Sequence, residues 1–128
     1  MRKMVFILLA MSLALADTRI PPTGAGATEV EKIFVDRCTS CHGGDDARAD
    51  LRLEPRWWIG EIVEVASLEK PELKLVDVRQ PDRSYLLMKI QGAPGIRKKP
   101  MPPRGDPLSA DEIQTIAAWA ASLAQPQR

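Results

Sequence analysis

Apolar positions along this chain change their spacing from one stretch to the next, and each spacing predicts a different element. Val5 to Leu15 is an almost unbroken apolar run behind Arg2 and Lys3. It ends at Ala14-Leu15-Ala16, a small-x-small cleavage pattern, so residues 1–16 read as a secretory signal peptide. The run is about eleven residues long, and a bilayer span takes roughly twenty. No membrane span is therefore expected after cleavage, and the mature chain is expected to begin at Asp17. Residues 17–27 are rich in Pro, Gly and small side chains and read as a flexible N-terminus. From there Thr28-Glu29-Val30-Glu31 has the form of a capping box, and Val30, Ile33 and Phe34 follow at helical spacing. A helix over about 29–37 is predicted, delivering Cys38 at its end.

The middle of the chain is less regular. Leu51 and Leu53 alternate with charged residues, and Leu73, Leu75, Val76 and Val78 form a β-like run ending before Pro81. These two stretches predict a small two-stranded piece, a β-hairpin in an otherwise helical domain. Trp57-Trp58-Ile59 with Ile62, Val63 and Val65 fits a short helix or a strand equally. Pro81-Asp82-Arg83-Ser84 opens a further helix through Tyr85, Leu86, Met88 and Ile90, stopped by Gly92. Residues 91–107 hold five prolines and three glycines, a loop of restricted backbone. The last helix is the most regular. Ser109 and Glu112 form a capping box, Leu108 and Ile113 are placed as a hydrophobic staple, and Ile113, Ile116, Ala117, Ala120 and Leu123 share a face with Trp119 beside it. Residues 28–125 thus read as one domain.

Charge narrows the partners. Loss of Arg2 and Lys3 with the leader leaves 16 basic against 17 acidic side chains. That balance argues against nucleic acid as a partner. The chemistry is concentrated in Cys38-Thr39-Ser40-Cys41-His42, which holds both cysteines and the single histidine of the chain. C-x-x-C-H is the attachment sequence of c-type haem: two thiols can each form a thioether to one porphyrin edge, and the next residue is the proximal histidine. A redox dithiol, a disulfide or half a zinc site are the alternatives. Structural zinc asks for four Cys/His ligands and the chain has three. Export supports the haem reading, because in an oxidising compartment two neighbouring free thiols would otherwise close to a disulfide. A periplasmic or otherwise exported location is expected.

The far side of such an iron has no second histidine to fill it. The candidates are a methionine, a lysine, water or nothing. Met88 lies in a helical pattern where core packing accounts for it. Met101 stands between Pro100 and Pro102-Pro103, a rigid setting that can hold a thioether over a metal with little ordering cost. Thioether is a soft ligand that favours Fe(II). The mature domain is small and has only five aromatic residues, so the haem-free chain is expected to be largely unfolded.

These features resemble class I-type monohaem cytochromes c, and among them the planctomycete-type cytochrome c domains. The resemblance rests on Cys38 to Gly43, Leu51-Arg52-Leu53, Pro81-Asp82-Arg83-Ser84-Tyr85-Leu86, Met101-Pro102-Pro103 and the Trp119 helix, and covers nearly all of residues 28–124. It implies an all-α, cytochrome c-like fold around one covalent haem c. It implies thioether links at Cys38 and Cys41, His42 as proximal ligand and Met101 as distal ligand. It also implies a backbone carbonyl accepting the proximal Nδ1 proton; no motif places it, and the segment near Glu54-Pro55 is the candidate. The function implied is single-electron transfer between redox partner proteins and not catalysis, in a form compatible with one subunit of a larger oxidoreductase. A haem sensor or peroxidase-type catalyst with an open or labile sixth site is the alternative. Arg97, Lys98, Lys99 and Arg104 flank the methionine and read either as a docking rim or as a solvated basic loop.

Overall fold

Trp58 stands where three helices meet. The computed structural model describes residues 24–124. Its helices are α1 (Ala27–Arg37), α2 (Trp58–Ile62), α3 (Tyr85–Gln91) and α4 (Ala110–Ser122), with 3₁₀ turns at Arg48–Asp50 and Pro81–Arg83. The Trp58 ring meets Phe34 of α1 edge-on at 5.3 Å and Trp119 of α4 at 4.9 Å. Such contacts add to the large apolar burial of each ring. The buried indole N–H of Trp58 donates to the Glu31 carboxylate at 2.8 Å. The same carboxylate was expected to cap α1, and this use explains why it does not.

Instead α1 begins at Ala27, behind Gly26 in a left-handed conformation (φ 88°), with no side-chain cap. Ala27 is buried. A Cβ on Gly24 would lie 2.9 Å from Ser122 Oγ and 3.0 Å from Trp119. The chain before α1 therefore lies directly on the end of α4, and only glycine permits that approach at φ 101°. Residues 24–27 are thus seated on the domain. The expected signal peptide and residues 17–23 lie outside the described residues.

Helix α4 forms as its sequence predicts. Ser109 Oγ accepts from the Glu112 N–H at 3.1 Å and the Ser109 N–H donates to Glu112 Oε2 at 2.8 Å. Ile116, Trp119 and Ala120 are buried on its inner face. Helix α3 ends at Gly92 in the left-handed conformation (φ 62°), as expected.

The predicted two-stranded piece pairs differently. Residues 62–67 run beside 73–76 through Leu75 N–H to Val65 C=O (2.7 Å), Ser67 N–H to Leu73 C=O (2.9 Å) and Val76 N–H to Ile62 C=O (3.0 Å). Only isolated bridges result, Val63 with Val76 and Ala66 with Lys74. Leu51–Leu53 takes no part. Its backbone is committed elsewhere, since the Leu53 N–H donates to the His42 carbonyl at 2.7 Å. A backbone donor already used in this way cannot also serve a ladder.

Helices α1 and α4 pack together, and a charged clasp joins their ends. Arg37 Nη1 pairs with Glu112 Oε2 at 2.9 Å, while Nη2 donates to the carbonyls of Asp106 (2.8 Å) and Pro107 (3.3 Å). The Glu112 carboxyl is held below the ordinary glutamate range by the Ser109 N–H first and by the Arg37 guanidinium, against an upward push from burial. Because folding lowers this pKa, the stabilisation is complete above the unfolded value of about 4.3. It is lost as pH falls through the folded value. Glu112→Gln is expected to cost roughly 1 kcal/mol at neutral pH. It should also flatten the fall in thermal midpoint below about pH 4; melting curves across that range measure both.

Candidate functional site

Helix α1 does not stop cleanly; it tightens into the C-x-x-C-H turn. The Cys38 N–H donates to Phe34 C=O at 2.8 Å, and the N–H groups of Cys41 and His42 both return to Cys38 C=O, at 3.2 and 2.9 Å. Thr39 Oγ1 donates back to the Val35 carbonyl at 2.9 Å. Gly43 is required next. A Cβ there would sit 2.6 Å from the Thr39 carbonyl oxygen and 3.3 Å from Glu54 Cγ.

The carbonyl that orients His42 is that of Arg48, with Nδ1 at 2.9 Å from it. A carbonyl only accepts, so Nδ1 carries the proton and donates, and Nε2 keeps its lone pair for a ligand role. This corrects the sequence-based candidate near Glu54-Pro55. A spatial neighbour on a tight turn could not be read from a pattern of side chains. The turn is itself held by Arg48 N–H to Cys41 C=O at 2.9 Å. Ala49 (φ 57°) and Asp50 (φ 53°) follow in left-handed backbone. Such backbone persists in residues other than glycine where the surrounding contacts over-determine it.

His42 and Cys38 line a cavity whose empty space, open mouth included, is about 1030 Å³. Its walls are apolar: Phe34, Leu51, Leu53, Leu75, Leu86 and Ile90 all contribute. Met101 lines the same cavity. The structure therefore brings together Cys38, His42 and Met101, which the sequence separates by up to 63 positions. Cys41 is exposed on the adjoining turn and is not among the residues of the cavity wall. Met88 is half-buried and does not reach the wall.

Burial pushes the Cys38 thiol up to about 11, with Arg37 pulling the other way and Glu112 adding to the rise. It stays protonated at neutral pH, which is not the thiolate that metal binding or fast disulfide exchange needs. Among the described residues no group of three or more His, Cys, Asp or Glu side chains could hold a metal ion. The zinc reading therefore lacks a ligand set.

One polar cluster interrupts the apolar wall, and the sequence reading missed it. Lys89, only 6 % exposed, donates to Glu69 Oε2 at 3.1 Å and to the Arg97 carbonyl at 2.8 Å. Tyr85 OH donates to Glu69 Oε2 at 2.7 Å. Burial raises the Glu69 carboxyl, but the hydrogen bonds from Tyr85 and Lys89 outweigh it and leave the pKa lowered. Burial raises the Tyr85 phenol, and the Glu69 carboxylate raises it further against the Arg97 N–H. The available signal was a lysine one helical turn after Tyr85, inside the apolar run of α3.

A large apolar cavity beside a thiol, a thioether and an imidazole with one free nitrogen suits a flat, mostly apolar, metal-bearing macrocycle. The fold and this donor set are those of a haem-binding all-α domain. The profile of the family described as "Cytochrome C oxidase, cbb3-type, subunit III" matches residues 25–119, and the chain belongs to that family. It is a monohaem c-type cytochrome domain with an all-α cytochrome c fold, it takes one haem c, and its function lies in electron transfer. Searches of curated proteins and of solved structures found no match. Among the described residues no helix is long and apolar enough to cross a membrane.

Proposed function

We propose that this protein is an exported electron carrier with a His/Met-ligated low-spin haem. Cys38 and Cys41 provide the thioether links, His42 is the proximal ligand and Met101 the distal one. The observation that carries the reading is the meeting of Cys38, His42 and Met101 at one apolar cavity. Bound there, haem supplies a one-electron Fe(III)/Fe(II) couple. The chain's contribution is to hold its own ligands still. The Arg48 carbonyl fixes the tautomer and orientation of His42. The Met101 N–H is tied to the Lys89 carbonyl at 2.9 Å, and Arg37 secures the far end of the loop at Asp106 and Pro107. With His42 and Met101 both holding the iron, the chain would leave no open position for a substrate, which favours a carrier over an enzyme or a gas sensor. The order of motifs also supports the planctomycete-type likeness.

The partners are redox proteins, met either by diffusion or within a larger oxidoreductase. The latter accords with the family's description as an oxidase subunit. Arg97, Lys98, Lys99 and Arg104 are exposed around the methionine and offer a basic rim to an acidic partner through a weak, transient contact. Export follows from the leader, and the periplasm is where such a haem would be attached.

One experiment tests the ligation. The purified reduced protein is expected to show a low-spin c-type α-band and to bind carbon monoxide poorly at neutral pH. The oxidised protein should show the weak long-wavelength sulfur-to-iron band. Ready carbon monoxide binding with no such band would replace this reading with the open-site one.

A further inference from the structure

Lys89 is a charged side chain buried in the wall of an apolar cavity, and burying an ammonium without partners is expensive. Its partners lead to the methionine loop. Lys89 Nζ donates to the Arg97 carbonyl (2.8 Å), the Arg97 N–H donates to Tyr85 OH (2.9 Å), and the Met101 N–H donates to the Lys89 carbonyl (2.9 Å). The loop is thus fastened to α3 at residues 97 and 101, with Lys98 in left-handed backbone (φ 58°) between them. Glu69, from the turn joining the paired segments, accepts from both Tyr85 (2.7 Å) and Lys89 (3.1 Å). Tyr85, Lys89, Glu69 and Met101 all line the one cavity.

We propose that Tyr85, Lys89 and Glu69 are positioning residues: they clamp the 97–101 segment and so set how firmly Met101 closes the sixth position. The proposal rests on Met101 being the distal ligand. Tyr85 and Glu69 do not touch Met101 in any hydrogen bond of the clamp; they act through Arg97 and Lys89. An external ligand reaches the iron only in the fraction of molecules where the methionine has moved away, so its apparent affinity reports that fraction. Removing one buried hydrogen bond shifts such a fraction roughly two- to tenfold.

The test is an imidazole titration of the ferric holoprotein, followed at the sulfur-to-iron band. Tyr85→Phe removes one oxygen and no charge, and Glu69→Gln removes the charge and keeps the shape. Each is expected to tighten imidazole binding roughly two- to tenfold and to lower the temperature at which the band fades, with the far-UV spectrum unchanged. In a Met101→Ala background Tyr85→Phe should have no effect on imidazole. Wild-type affinity and a wild-type band in Tyr85→Phe would overturn the clamp, as would an equal effect in the Met101→Ala background. If Met101→Ala itself left band and affinity untouched, the ligation would have failed and the clamp with it. Should Glu69→Gln disturb folding, Tyr85→Phe carries the test alone.

Discussion

Made without its thioether links, as Cys38→Ala with Cys41→Ala, the chain is expected to lose its cooperative fold. The reason lies in which residues do two jobs. Phe34, Leu53, Leu86 and Ile90 belong to the buried core and also line the cavity. Without haem, the part of the same wall that the protein itself covers least, Leu51, Val65, Leu68 and Leu75, is left to water. Each 100 Å² of apolar surface left uncovered forfeits about 2.5 kcal/mol. A domain of this size has about 5–15 kcal/mol of stability in total, so a few hundred Å² decide whether it folds. The remaining core is small: Trp58 and its two aromatic neighbours tie α1, α2 and α4, and α3 joins them by packing on α4. The measurement is thermal and protease-resistance behaviour of the double variant. A broad, non-sigmoidal melt and rapid digestion are expected. A sharp, reversible melt with protection over residues 24–124 would show that side chains alone suffice.

Met101→Ala is expected to give the second largest effect: loss of the sulfur-to-iron band and a fall in midpoint potential on the order of 100 mV. Axial ligands tune haem potentials over about 0.8 V, and a thioether favours the reduced iron. Met88→Ala is the matched control. Met88 sits in α3 one residue before Lys89 but does not line the cavity, so its loss should leave band and potential unchanged. Equal shifts in the two variants would remove Met101 from the iron. An unchanged spectrum in Met101→Ala would do the same.

The haem c that the family takes was legible from the sequence. Cys38, Cys41 and His42 lie within five residues, so their spacing points to that cofactor without reference to the rest of the fold. The same is true of the Ser109–Glu112 box, where donor and acceptor lie within one helical turn, and of the glycine that ends α3. The α1 box failed for a reason that no window of sequence contains. Glu31 found a better donor in Trp58, 27 positions away.

Three further features were decided only when distant segments met. The strand-like residues 73–76 pair with 62–67, while the Leu53 N–H goes to His42. The carbonyl that holds the histidine came from Arg48, since any residue can supply a backbone oxygen and only its position matters. Lys89 acquires its role only in the fold, where Glu69 and the Arg97 carbonyl close around it. Side-chain identity and short-range periodicity therefore determined what the chain can bind and where its best helices begin and end. Backbone polar groups and buried ion pairs take their partners from whatever the folded chain brings near, and those choices belong to the tertiary structure.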